Sequence, residues 1–303
     1  MWLAANLPGH ARAVVINTVA GTGNTTAPAD NPGWSNVGLL GSGTGVYLGD
    51  GWVLTTAQVG GGSIVLDGVT YAMRAGSAIT LTNNAEPGKS ASSDLLLFQL
   101  TSTPAGLPSL SIASGATTVS TSVTMIGAGR DRGSFTQWTV DNTTTPWTWT
   151  EVSSGGNAAG YQTVGSRTMR WGTNDVTTSH TWFQDGSVDS FVFATTFEDS
   201  GSPSTEAQAA SGDFGGAVFR KTGGSWELAG IMLAAEGYSG QPDPDTTAIY
   251  GNTMLAADLS FYRSQIVAAV PEPSSVTLLL AAVVAGGLRA MLVRRTRRTG
   301  LLR

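Results

Sequence analysis

From Gly45 to about residue 265 the chain is a succession of short apolar runs, each closed within a few residues by glycine, aspartate or asparagine. That spacing limits what it can fold into. Gly45-Val46-Tyr47-Leu48, Trp52-Val53-Leu54-Thr55, Ser63-Ile64-Val65-Leu66, Leu95-Leu96-Leu97-Phe98, Val123-Thr124-Met125-Ile126, Phe191-Val192-Phe193-Ala194 and Leu228-Ala229-Gly230-Ile231-Met232-Leu233 are strand-sized and bounded by turn residues. Many short strands at this interval predict an all-β sandwich or barrel. Only residues 253–269 depart from the pattern: Leu255, Leu259, Tyr262 and Ile266 fall at helical spacing and predict the single helix of the body.

Composition agrees with a β fold, since charged residues make up 12% of the chain against 40 glycines, a mix poor in helix formers. With 303 residues there is material for one large β domain or two smaller ones. Cysteine is absent, which excludes disulfides, a thiolate nucleophile and zinc-thiolate sites. Residues 1–270 hold ten Lys+Arg against twenty Asp+Glu, and the remaining residues hold six arginines against one glutamate. An acidic body argues against nucleic-acid binding.

Three segments divide the chain. Residues 1–13 read as a truncated export signal, with an apolar start and an A-x-A form at Ala11-Arg12-Ala13, although the apolar run is short and no basic n-region precedes it; the alternative is a first strand running into Val14-Val15-Ile16. Residues 14–269 form the body. Residues 270–303 change character abruptly: Pro271-Glu272-Pro273, an apolar stretch over 276–293 interrupted by Arg289, then a basic tail over 294–303. As a helix, 276–293 would extend roughly 27 Å, enough to cross a bilayer, and the arginines predict that its C-terminal side is cytoplasmic.

This order of features resembles the PEP-CTERM sorting signal of Gram-negative bacteria, with Pro271, Glu272 and Pro273 as its motif. The resemblance implies an exosortase as partner, inner-membrane anchoring through the C-terminal helix before processing, and delivery to the cell surface or beyond.

Within the body, three blocks match a second family in that family's own order. Gly43-Thr44-Gly45-Val46-Tyr47-Leu48 with Trp52-Val53-Leu54-Thr55-Thr56-Ala57-Gln58 comes first, then Ser93-Asp94-Leu95-Leu96-Leu97-Phe98-Gln99-Leu100, then Gly212-Asp213-Phe214-Gly215-Gly216 followed by Ser225-Trp226-Glu227-Leu228-Ala229-Gly230-Ile231. Together they resemble trypsin-like (chymotrypsin-fold) serine proteases. The resemblance implies two six-stranded β-barrels and no cofactor or metal. It also implies triad-equivalent positions at Gln58, Asp94 and Phe214, an oxyanion-hole equivalent at the Gly212 and Phe214 N–H groups, and a specificity-pocket equivalent at Gln208. In active relatives the residue matching Asp213 pairs with a freed N-terminal amine; no activation sequence precedes the fold here.

The residues themselves lack the family's chemistry. A triad needs a hydroxyl nucleophile, an imidazole that takes and returns its proton, and a carboxylate that orients the imidazole. Gln58 carries an amide that does not titrate, and Phe214 has no nucleophilic atom. The phenyl ring is expected where substrate carbonyls approach. Of the two histidines, His10 falls in the export signal and His180 matches no family position, though it is the one candidate for a rescuing base. Ser211, three residues before Phe214, is misplaced for attack.

These residues predict an exported, catalytically inactive protease homologue that binds a peptide, glycan or matrix component outside the cell. The alternatives are an active endopeptidase with a remodelled site and a structural surface or biofilm protein. Trp138, Trp147, Trp149, Trp171 and Trp182, in a Thr/Ser-rich stretch over 136–188, suit either a ligand surface or buried barrel positions, and burial is the commoner outcome. Glu198-Asp199 and Gln241-Pro242-Asp243-Pro244-Asp245 fit no calcium-loop spacing and read as solvated turn carboxylates.

Overall fold

The fold is that of a computed structural model, in which residues 14–17, 23–199, 205–242 and 246–270 are described. Strand β1 (Val15–Ile16) leads into β2 (Val37–Leu40), β3 (Gly43–Gly49), β4 (Trp52–Thr55), β5 (Ile64–Leu66), β6 (Val69–Tyr71), β7 (Ile79–Thr82) and β8 (Ser92–Gln99). There follow β9 (Ser122–Asp141), β10 (Thr148–Val152), β11 (Ala158–Asp185), β12 (Val188–Thr196), β13 (Ala207–Gln208), β14 (Ala217–Thr222), β15 (Ser225–Glu236), β16 (Thr247–Ile249) and β17 (Thr253–Asp258). Helix α1 (Leu259–Ala269) closes the described chain. Each of the seven apolar runs read from the sequence lies in a strand, apart from Ser63, which directly precedes β5.

All ladders are antiparallel, and they close on themselves twice. In the first sheet the order is β6-β5-β2-β3-β4-β8-β7. A bridge between Met73 and Leu100 carries the chain after β6 onto the outer edge of β8, with Arg74 N–H donating to Gln99 O (2.7 Å) and Thr101 N–H to Ala72 O (2.8 Å). In the second sheet β9, β14, β15, β17, β12 and β11 pair in that order, and β11 returns to β9. Closure removes the open edges that would otherwise template association; β10 and β16 lie outside the ring as short additions.

The longest described core cluster spans both sheets. Val37, Val46, Leu54, Leu95 and Leu97 of the first pack with Ile126, Val192, Ala217, Phe219 and Ile231 of the second and with Leu259, Tyr262 and Ile266 of α1. Each buried Val, Leu, Ile or Phe among them contributes about 1.5–3 kcal/mol, and the two barrels share one apolar seam. Leu40, Tyr47, Val53, Ile64 and Phe98 fill the first barrel.

Two expectations change here. Residues 253–258 are strand β17, buried between β12 and β15, and the helix begins only at Leu259. Asp258 sets the boundary: it accepts from Ser260 N–H (3.0 Å) and Ser260 Oγ (2.6 Å) as N-cap, and its other oxygen accepts from Thr117 N–H (3.0 Å). Secondly, the Thr/Ser-rich stretch extends beyond the barrel positions expected for its tryptophans. Strands β9 and β11 run on well past the barrel as long paired arms, from Asp175↔Ser122 to Ala158↔Trp138, with register shifts between Arg167 and Val164 and between Thr163 and Tyr161.

No helix among the described residues is long and apolar enough to cross a membrane. Residues 1–13, with His10, and residues 271–303, which carry the expected sorting motif, apolar stretch and basic tail, lie outside the described residues.

Candidate functional site

The three sequence blocks converge where the barrels meet. Thr44, on β3, ties them together: its N–H donates to Phe214 O (2.8 Å), its Oγ1 donates to Gly212 O (2.7 Å), and its O accepts from Thr55 Oγ1 (2.8 Å) at the end of β4. Thr44 Oγ1 also accepts from Ala128 N–H (3.1 Å) on β9. The glycine-rich turn is further closed by Gly216 N–H to Asp213 O (2.6 Å) and Gly215 N–H to Met232 O (3.0 Å). Its shape requires glycine at two points, with Gly212 at φ +105° and Gly215 at φ +82°. A Cβ at Gly215 would stand 2.0 Å from Thr44 O.

Gln58 and Asp94 face each other as the resemblance implies, but the contact runs through the backbone. Gln58 N–H donates to Asp94 Oδ1 (2.9 Å), Ala57 N–H reaches Asp94 O (3.4 Å), and Asp94 N–H donates to Ser190 Oγ (3.1 Å). Burial lifts the Asp94 carboxyl to about 6; the Gln58 N–H opposes that shift, and the nearby Asp185 charge adds to it. Asp94 thus holds the end of β4 against β12, a joint whose partner Ser190 the sequence did not single out.

Phe214 departs from expectation. Its ring is 2% exposed and packs with Val14, Ile16, Ala207, Ala209, Val218 and Met232 inside the second barrel. It does not stand in the path of an approaching carbonyl. Gln208 is buried as well, paired with Val15 through the β1–β13 ladder, and its Oε1 has no hydrogen-bond partner.

His180 is exposed at φ +52°, at the register shift in the β11–β12 ladder, and its ring stacks on Phe191 at 6.2 Å. Ser211 precedes the turn, its carbonyl accepting from Arg130 N–H (2.8 Å). Glu198 N–H donates to Glu206 Oε1 (2.7 Å); burial pushes Glu206 up to about 7. Among the described residues no three His, Asp or Glu side chains converge as a metal site; Asp243 and Asp245 lie outside the described residues.

Of the tryptophans, Trp138 is fully buried, and Trp147, Trp149, Trp171 and Trp182 are half-buried. Trp147 stacks on Tyr238 (5.6 Å, 23°), and Trp149 fits between Trp138 and Tyr238 with Nε1 donating to Ser239 O (3.0 Å). These rings mainly fasten the β9–β10 arm to the end of β15. A surface cavity of about 560 Å³, lined by residues including Asn31, Asn36, Ser109 and Trp226, includes none of Gln58, Asp94 or Phe214.

Sequence reasoning passed over Arg167, which reaches this site from β11. Its Nε donates to Ala128 O (3.0 Å), Nη1 to Gly41 O (3.0 Å), and Nη2 to Gly43 O (2.8 Å) and Gly212 O (3.3 Å). The one available signal was an arginine between glycine-rich turns in a body that carries few cations.

Chemically, Asp94, Gln58 and Phe214 supply a titratable carboxyl, a non-titrating amide and a buried hydrocarbon ring, so these three positions offer no pairing of nucleophile and base. No family model matches the chain, and no curated protein matches it. Among solved structures it is similar to neuropsin, a serine protease expressed in the limbic system of mouse brain, at 16% identity and a TM-score of 0.47, covering 81% of this chain and 97% of that one.

Proposed function

We propose that this chain is an exported trypsin-like serine protease homologue without peptidase activity, acting as a binding or scaffold domain outside the cell. The observation that carries the reading is Phe214: in the motif's nucleophile position stands a phenyl ring that is part of the core of the second barrel. Gln58 adds to it, since an amide cannot replace the general base. A binding role is supported by the edge of β15. Its ladder with β14 ends at Ile231, beyond which Met232 bonds Gly216, while residues 233–236 continue on the β17 side alone. A strand edge with no ladder partner among the described residues suits an extended peptide added as a further strand. The Pro-Glu-Pro segment, apolar stretch and arginine cluster support exosortase sorting, with transient anchoring in the inner membrane before release to the surface.

The test is to incubate the purified chain with casein and fluorogenic peptides and to label it with a fluorophosphonate probe. Neither turnover nor labelling is expected. Turnover abolished by Asp94→Ala, or a labelled serine, would sink the reading. The double substitution Gln58→His, Phe214→Ser tests the alignment of both positions, but removing a buried ring costs about 3–5 kcal/mol. Its peptidase activity is therefore to be measured alongside its urea midpoint.

A further inference from the structure

The cavity of about 560 Å³ beside Trp226 includes neither the Gln58, Asp94 and Phe214 positions nor residues 233–236 of β15. Its size falls within the roughly 300–1,000 Å³ of small-molecule sites. Three segments build it: the turn around Asn31 and Gly33 ahead of β2, the 105–111 connection between the barrels, and the start of β15. Asp67 joins them from the β5–β6 turn.

The walls are fixed by the fold. Asn36 Nδ2 donates to Tyr47 O (2.9 Å) and Pro108 O (2.8 Å), Leu110 N–H donates to Leu48 O (2.9 Å), and Leu228 N–H donates to Ser111 O (2.8 Å). Asn31 Oδ1 accepts from Gly33 N–H (3.0 Å) and Trp34 N–H (2.8 Å). Gly33, at φ +138°, is packed so closely that a Cβ there would be 2.9 Å from Leu110 Cδ2. A ligand therefore meets a formed cavity, and little ordering of the protein opposes its binding.

The chemistry of the lining is one aromatic ring among uncharged polar groups. Trp226 Nε1 donates to Asp30 Oδ1 (2.9 Å), and Lys221 Nζ lies over the indole, 5.0 Å from its centroid, paired with Asp30. The polar atom of the indole is thus engaged, and what the ring offers the cavity is aromatic surface. The Lys221 charge is likewise answered. The hydroxyls of Ser35, Ser109 and Ser111 and the Asn31 Nδ2 make no hydrogen bond among the described residues. Asp67 is the one carboxylate in the lining, which has no lysine or arginine.

We propose that this cavity is a binding site for a neutral saccharide of one or two rings, with Trp226 as the stacking wall and Asn31, Ser35, Ser109, Ser111 and Asp67 as partners for sugar hydroxyls. A pyranose ring presents C–H groups on a face and hydroxyls around its rim, and each hydroxyl can donate to a carboxylate or accept from an amide. An anionic ligand would meet Asp67 with no cation in the lining, and an apolar one would leave these polar groups without partners. The inference uses none of Gln58, Asp94 or Phe214, so its failure would leave the protease-homologue reading standing, and peptidase turnover would leave this site standing.

The test is to titrate the purified full chain with glucose, galactose, N-acetylglucosamine, cellobiose and diacetylchitobiose, and with glucuronate as the anionic probe, by saturation-transfer NMR and tryptophan fluorescence. At least one neutral sugar is expected to bind, with saturation concentrated on the C–H protons of one ring face. Glucuronate should bind more weakly than glucose, and Asp67→Asn should narrow the gap. Trp226→Ala should weaken the neutral sugar about tenfold or more and Ser109→Ala severalfold. Trp147→Ala, whose ring stacks on Tyr238 outside the cavity, should leave it unchanged. No binding by any neutral sugar, affinity unaltered in Trp226→Ala, or a preference for glucuronate overturns the proposal. Should Trp226→Ala fail to fold, Ala105→Trp decides: it adds a ring at an exposed position of the lining, and it must abolish binding while the circular dichroism stays that of the parent.

Discussion

Gly215 combines a left-handed φ of +82° with a carbonyl 2.0 Å from where a Cβ would be. Gly215→Ala is expected to cost roughly 2–4 kcal/mol in urea unfolding, from strain and overlap together. Asp94 gives a pH signature. Folding raises its carboxyl to about 6, above the ordinary value of about 3.9, so the folded chain binds the proton more tightly than the unfolded chain. This contribution favours the folded state fully below about pH 4 and is lost as pH rises through about 6. Thermal midpoints should fall across that window. Asp94→Asn, which keeps an acceptor for the Gln58 N–H, should flatten the fall by about 1–2 kcal/mol, discounted for the partial exposure of the site. Glu206, raised to about 7, adds a fall of the same sign at slightly higher pH, which the Asp94 variant leaves in place.

Helix α1 is held less by its length than by Tyr262, whose hydroxyl donates to Asn83 Oδ1 (2.9 Å) and accepts from Phe191 N–H (2.9 Å). Asn83 belongs to the first barrel side and Phe191 to β12, so one hydroxyl joins both barrels to the helix. Tyr262→Phe should lower stability by about 1–3 kcal/mol, because it takes a partner from the buried Asn83 Oδ1 and from the part-buried Phe191 N–H; a urea midpoint equal to that of the parent would contradict this. The elements were legible in the sequence where they are buried on both faces, as in β3, β4, β8 and β12. There apolar runs stop at turn residues. The outer parts of β9 and β11 were not, because one face of each arm is solvated, and threonine and glutamine stand there among Trp138 and Tyr161. Leu255 misled for the opposite reason: Met254 before it and Ala256 and Ala257 after it are all compatible with a helix, so a buried strand passed for one turn of helix. At the site, the three blocks and their order were readable, whereas the direction of the Phe214 ring and the reach of Arg167 depend on packing from segments far along the chain.

For the whole molecule, the cluster that runs from Val37 through Ile231 to Ile266 makes the two barrels one thermodynamic body. Far-UV and near-UV circular dichroism should lose signal in a single coincident thermal transition; two separated transitions would show that the seam does not couple the barrels. The burial of Phe214 also bears on how such a sequence can change with time. Steps toward a large apolar side chain at 214 are downhill in stability, whereas a step back to a small polar one is uphill by about 3–5 kcal/mol, a large share of the roughly 5–15 kcal/mol that holds a typical protein folded. The neighbours Val14, Ile16 and Met232 would have to regrow into the gap first. Position 214 therefore behaves as a ratchet in sequence space, open in one direction and closed in the other until its surroundings have been rewritten.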